Sequence, residues 1–196
     1  MTDAYSPVSE LNLLKEFSDG PGDAYFSDGF EFYRYGRPDA GLVETLSPET
    51  REEEARGHLD RLIPFAQATA SGSFYALGHC DDRADLATFP VVRFGDEGDL
   101  DIIDGLRNLF RLLTIDDEWF CPWDEEREAD PDEEYSPGHE AYVVWLEETF
   151  GLTPPTDAEA DEILGSGGKK YGTRFVEEFA SEKNDFDPLR KVFAGS

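Results

Sequence analysis

Cysteine is scarce in this 196-residue chain, which holds only Cys80 and Cys121. Two cysteines do not make the disulfide framework of a small secreted domain, and a reducing, cytoplasmic compartment is the simpler expectation. They lie far apart with no CxxC or HxxxH pattern, and histidine occurs only at positions 58, 79 and 139. Structural zinc needs four closely spaced ligands, so none is expected. Long apolar runs are missing too: the longest, Ala141 to Leu146, falls far short of the roughly 20 residues that span a bilayer. The first seven residues, Met1-Thr-Asp-Ala-Tyr-Ser-Pro7, lack the basic and apolar regions of a signal peptide.

Basic residues are also few, 17 against 45 acidic, for a formal net charge of −28. A field of that sign repels nucleic acid and anionic membranes and attracts basic partners at rates that fall as salt rises. Neither DNA or RNA nor a membrane is expected as a direct ligand. Solubility alone accounts for the same charge equally well.

The length suits one domain, residues 1–196, with a core large enough to do without disulfides or metals. The best-ordered pattern runs from Phe65 to Ile115. Phe74 to Leu77 is apolar on both faces, as in the middle strand of a covered sheet. Pro90 opens a second strand through Phe94, and Gly95 to Asp99 turns it into a third, Leu100 to Ile103. Asp104 is an expected N-cap for a helix whose apolar positions, Leu106, Leu109, Phe110 and Leu113, share one stripe.

Before this core, Ser6-Pro7 predicts a short helix through Leu11, Leu14 and Phe17. Phe30 to Tyr35, with aromatics on both faces, predicts a strand. Ser47-Pro48 followed by Ala55, Leu59, Leu62 and Ile63 predicts an amphipathic helix ended or bent by Pro64, with Phe65 to Ala70 as one more turn. After the core, Ser136-Pro137 predicts a helix through Trp145 to Phe150, stopped by Gly151. Pro154 to Asp157 opens a shorter helix to Leu164, Gly165 to Gly168 reads as a flexible joint, and further helices are expected around Phe175 to Phe179 and after Asp187-Pro188. Strands clustered centrally with helices at both ends indicate α+β: a central mixed or mostly antiparallel sheet, helices packed on it, and a helical C-terminal third.

No catalytic motif announces itself. His79, Cys80, Asp81 and Asp82 include a thiol and a base, but neighbours at a strand end point alternately to opposite sides, so a Cys80-dependent hydrolase is the weakest of three readings. Gly165-Ser-Gly-Gly-Lys-Lys170 fails as a phosphate loop, since Ile163 stands where its first glycine belongs and Lys170 where Ser or Thr belongs. Asp124 to Glu134 lacks the alternating ligands and central glycine of a calcium loop. No cofactor is implied.

The strongest candidate is the segment 116–134, in which eleven of nineteen residues are Asp or Glu and only Arg127 is basic. It also carries Trp119, Phe120 and Trp123, which a purely solvating tail would not contain. The expected partner-binding set is Asp116, Asp117, Glu118, Trp119, Trp123, Asp124, Glu125, Glu126, Asp130, Asp132, Glu133 and Glu134, with charge steering the encounter and aromatic burial slowing release. The alternative is that the tryptophans are core residues and the acids only face solvent.

The runs Leu62-Ile-Pro-Phe-Ala-Gln-Ala-Thr-Ala-Ser-Gly-Ser-Phe-Tyr-Ala-Leu77 and Asp81-Asp-Arg-Ala-Asp-Leu-Ala-Thr-Phe-Pro-Val-Val-Arg-Phe-Gly-Asp-Glu-Gly98 resemble the SUKH superfamily, which includes bacterial toxin-immunity proteins and a fungal cell-wall assembly regulator. The resemblance covers about residues 47–150 and departs at Gly78, where relatives often carry a tryptophan. It implies an α+β domain with a mixed or largely antiparallel sheet. It further implies a non-enzymatic protein that neutralises a toxin, often a nuclease, and carries over no catalytic residues. A nuclease surface shaped for phosphates is basic, which the acidity of this chain would complement. An interaction scaffold or regulator without any toxin is the second reading.

Overall fold

The computed structural model describes residues 4–20, 25–36, 62–68, 73–79, 85–94, 100–117 and 135–180. These form an α+β architecture. Helix α1 (Ser9–Ser18) precedes five strands, β1 (Glu31–Phe32), β2 (Leu62–Gln67), β3 (Phe74–Gly78), β4 (Val91–Phe94) and β5 (Leu100–Ile103). Helices α2 (Leu106–Leu112), α3 (His139–Phe150) and α4 (Asp157–Ala180) follow. The sheet is a meander in the order β1-β2-β3-β4-β5, antiparallel at every pairing.

The three strands expected from Phe74 onward are present, and β4 and β5 pair as predicted, Val91 opposite Ile103 and Arg93 opposite Asp101. On one face Tyr75, Leu77, Val91 and Ile103 join the main core with Leu11 and Leu14 of α1, Leu106, Leu109 and Phe110 of α2, Tyr142 and Leu146 of α3, and Ala160 and Ile163 of α4. On the other face Ala76, Val92 and Ile102 are buried as well. Burial on both faces explains why β3 reads as a continuous apolar run rather than an alternating one. Within this sheet Arg93 is only 4% exposed, and its Nε donates to Asp101 Oδ2 at 2.7 Å across the strand pair. Removing Asp101 would cost the buried Arg93 charge its cross-strand carboxylate in a largely desolvated place, whereas Asp101 itself is a third exposed.

Five local expectations change. Leu62 to Gln67, read as the end of a helix, is a strand. Pro64 cannot sit inside a helix without losing a hydrogen bond, but the strand accommodates it beside a register shift between Pro64 and Ala66, and its carbonyl accepts from Gly36 N at 2.8 Å. The upstream part of that expected helix lies outside the described residues. The strand expected over Phe30 to Tyr35 is regular only at Glu31–Phe32.

The Ser-Pro cap signals at Ser6 and Ser136 fall short of the helices they announce, while Ser47-Pro48 lies outside the described residues. Helix α1 starts at Ser9 behind Val8, while Ser6 N donates to Asn12 Oδ1 at 2.8 Å and Asn12 Nδ2 returns a bond to Ser6 O at 2.9 Å. Helix α3 starts at His139 behind Gly138. Asp104 does not cap α2, whose N-cap is Gly105 at φ +88°; its carboxylate accepts instead from Lys170 Nζ at 2.7 Å and Tyr171 Oη at 2.9 Å.

Finally, Gly165 to Gly168 is no joint: α4 runs unbroken through it. Helix α4 begins with a reciprocal capping box. Thr156 N donates to Glu159 Oε2 at 2.9 Å, and Glu159 N donates back to Thr156 Oγ1 at 3.4 Å. That backbone bond, with the Arg111 guanidinium 3.1 Å away, holds the Glu159 carboxyl below the usual range. Its folded pKa being depressed, its contribution is present above the ordinary carboxylate value and lost as pH falls below it. Thr156→Ala is expected to lower the unfolding free energy by about 1 kcal/mol in a denaturant titration, with an unchanged slope.

Candidate functional site

The acidic segment is held at its base by one residue of its own. Helix α2 runs into a single 3-10 turn, Leu113–Ile115, and Asp116 then adopts the left-handed conformation at φ 59°. Among non-glycine residues Asp and Asn tolerate that conformation best, because a short polar side chain can bond locally.

From there the Asp116 carboxylate takes three hydrogen bonds. Oδ1 accepts from Asp28 N and from Ser136 Oγ, each at 2.7 Å, and Oδ2 accepts from Ser136 N. Two further ties surround it. His139 Nε2 lies 2.8 Å from Thr114 O, and since a carbonyl only accepts, the ring donates from that nitrogen. Gly138 N donates to Tyr25 O at 2.8 Å. Tyr135, 68% exposed, stacks on the His139 ring at 4.3 Å and 11°.

The chain therefore leaves this clasp at residue 117 and re-enters it at residue 135. Between those points the sequence carries nine carboxylates and Arg127 as its one cation. Of the predicted partner-binding set, Asp116 and Asp117 are described. Asp116 faces inward, as an acceptor for two other segments of the fold. Glu118, Trp119, Trp123, Asp124, Glu125, Glu126, Asp130, Asp132, Glu133 and Glu134 lie outside the described residues.

Sequence reasoning missed Asp28, Ser136 and His139 as partners in this clasp. Ser136-Pro137 carried a signal, but it was that of a helix cap; the serine's donors are used one segment earlier in the chain.

The thiol reading gains no geometry: Cys80, Asp81 and Asp82 lie outside the described residues, and His79 is exposed with its ring edge-on to Phe89 at 5.0 Å. Among the described residues no three His, Cys, Asp or Glu side chains converge as a metal ion would need, and no helix is long and apolar enough to cross a membrane. No family model, no curated protein and no solved structure matches the chain.

Proposed function

We propose that this is a non-enzymatic, cytoplasmic binding protein of the immunity type, whose acidic segment 116–134 docks on a basic protein partner such as a toxin nuclease domain. The observation that carries this reading is the Asp116 clasp, which holds the two ends of the segment at one place on the fold. Tethering both ends lowers the conformational entropy that the segment loses on docking, and so favours a surface that binds over a free acidic tail. The α+β class of the fold is the class that the SUKH resemblance implies, and the charge of −28 supplies the long-range attraction a basic partner would feel.

Affinity capture from the source cells at low salt is expected to recover a basic protein. Raising ionic strength from 50 to 500 mM, conditions that shorten the screening length from over 10 Å to under 5 Å, should weaken the complex steeply. Neutralising Asp124, Glu125, Glu126, Asp132, Glu133 and Glu134 together to Asn and Gln should slow association by about tenfold or more at low salt. Capture of no basic protein, or a complex indifferent to both salt and neutralisation, sinks the proposal.

A further inference from the structure

On a different part of the molecule, the chain following β1 turns past α1 and the N-terminal segment and leaves an open groove of about 530 Å³, lined by Tyr5, Lys15, Phe32, Tyr33, Arg34 and Tyr35. That volume is within the range of small-molecule sites. Its walls are aromatic and braced against one another. The Tyr5 ring stands edge-on to Phe32 at 5.0 Å and 78°, and to Tyr35 at 5.9 Å and 73°. Tyr5 Oη is tied to the backbone through Tyr33 O at 2.6 Å and also reaches Phe65 O. Burial pushes the Tyr5 and Tyr35 hydroxyls up, so both stay protonated.

Two observations point to a ligand. The Tyr35 hydroxyl, beside the groove but screened from solvent as the ring lies, has no hydrogen-bond partner among the described residues, an unmet donor that a ligand would satisfy only after a small ring adjustment. Arg34 is exposed at the same groove and makes no ion pair among the described residues, in a chain where carboxylates outnumber cations 45 to 17.

An aromatic cage could take a cation, but here Lys15 Nζ, ion-paired with Asp19, already lies 5.5 Å over the Phe32 ring, and Arg34 adds the groove's one positive charge without an ion pair among the described residues. The local sign therefore selects an anion. The overall charge of −28 repels polyanions, leaving a small ligand of single charge.

We infer that the groove binds a small aromatic carboxylate, its ring against Phe32 and the tyrosines and its carboxylate held by the planar fork of Arg34. Such a fork binds a carboxylate through two parallel N–H···O bonds.

The test is a titration of the full-length, ¹⁵N-labelled chain with benzoate, followed by amide shifts, with benzyl alcohol, benzylamine and acetate as parallel probes. Benzoate is expected to give saturable shifts centred on residues 32–35. Benzyl alcohol, which keeps the ring without the charge, and acetate, which keeps the charge without the ring, should each bind about tenfold more weakly. Arg34→Ala should weaken benzoate by a similar factor and Arg34→Lys by less, both with an unchanged melting temperature because the side chain is exposed. The inference is overturned by an absence of saturable shifts with benzoate, by benzylamine binding as tightly as benzoate, or by an Arg34→Ala protein that binds benzoate unchanged.

Discussion

Gly167→Ala is expected to destabilise the protein by at least about 3 kcal/mol, while the same substitution at Gly165 or Gly168 stabilises it by about 0.5–1 kcal/mol. The three glycines share one helix and nearly one position in it, so local propensity treats them alike: each Gly→Ala change in a helix interior removes backbone freedom from the unfolded chain. Tertiary contact separates them. A Cβ on Gly165 or Gly168 would meet nothing within 4 Å. On Gly167 it would lie 1.6 Å from Ile102 O, 2.5 Å from Ile102 C and 3.1 Å from Ile103 N.

All three of those atoms are backbone of β5, the last strand of the sheet, so no side chain can swing aside. To admit one methyl group, α4 must retreat from the strand by more than an ångström. That retreat disturbs Ala160 and Ile163 in the core and the pair of bonds from Lys170 and Tyr171 to Asp104. Close packing does not absorb displacements of that size cheaply. Denaturant titrations of the three single variants decide the matter. A Gly167→Ala protein within about 1 kcal/mol of the parent would show that helix and strand do not meet backbone to backbone there.

The same glycines show where sequence reasoning succeeds and where it stops. Strands β3, β4 and β5 and helix α2 were legible because their signals are local and redundant: apolar runs bracketed by turn residues, and a clean stripe from Leu106 to Leu113. Strand β2 was not, because the spacing of Leu59, Leu62 and Ile63 satisfies a helix as well as the end of a strand. Its pairing with β3 from Leu62 opposite Gly78 to Gln67 opposite Phe74 decides between them, and that is a long-range fact.

Gly165 to Gly168 looked like a joint for a similar reason. Composition reports a glycine's freedom, whereas here Gly167 is required for close approach to another backbone. The groove was half visible: aromatics on both faces of Phe30 to Tyr35 were evident, but not that Tyr5 would close against Phe32 and Tyr35. Asp116 was hidden by its company, one carboxylate among eleven in a run whose obvious property is charge.

Asp116→Ala is expected to cost about 2–3 kcal/mol, which places it well outside the range of an ordinary surface substitution. Two effects add. The backbone amides of Asp28 and Ser136 lose their acceptor, and a methyl side chain has no local bond with which to offset the left-handed conformation at φ 59°. Asp116→Asn should cost about half as much, since asparagine tolerates that conformation and keeps one carbonyl oxygen for the same donors. Ser136→Ala removes only the hydroxyl bond and should cost less than either, about 1 kcal/mol.

This series also separates the clasp from the proposed binding surface. If Asp116 acts by holding the segment's ends together, Asp116→Ala lowers stability and weakens the basic partner through a slower or less favourable ordering of the segment. On the proposed function, neutralising Asp124 to Glu126 and Asp132 to Glu134 is expected to weaken partner binding while leaving stability unchanged or raised, because it relieves like-charge repulsion in a chain of net charge −28. The proposal that the clasp presents the acidic segment fails if Asp116→Ala leaves unfolding and partner affinity both at parental values.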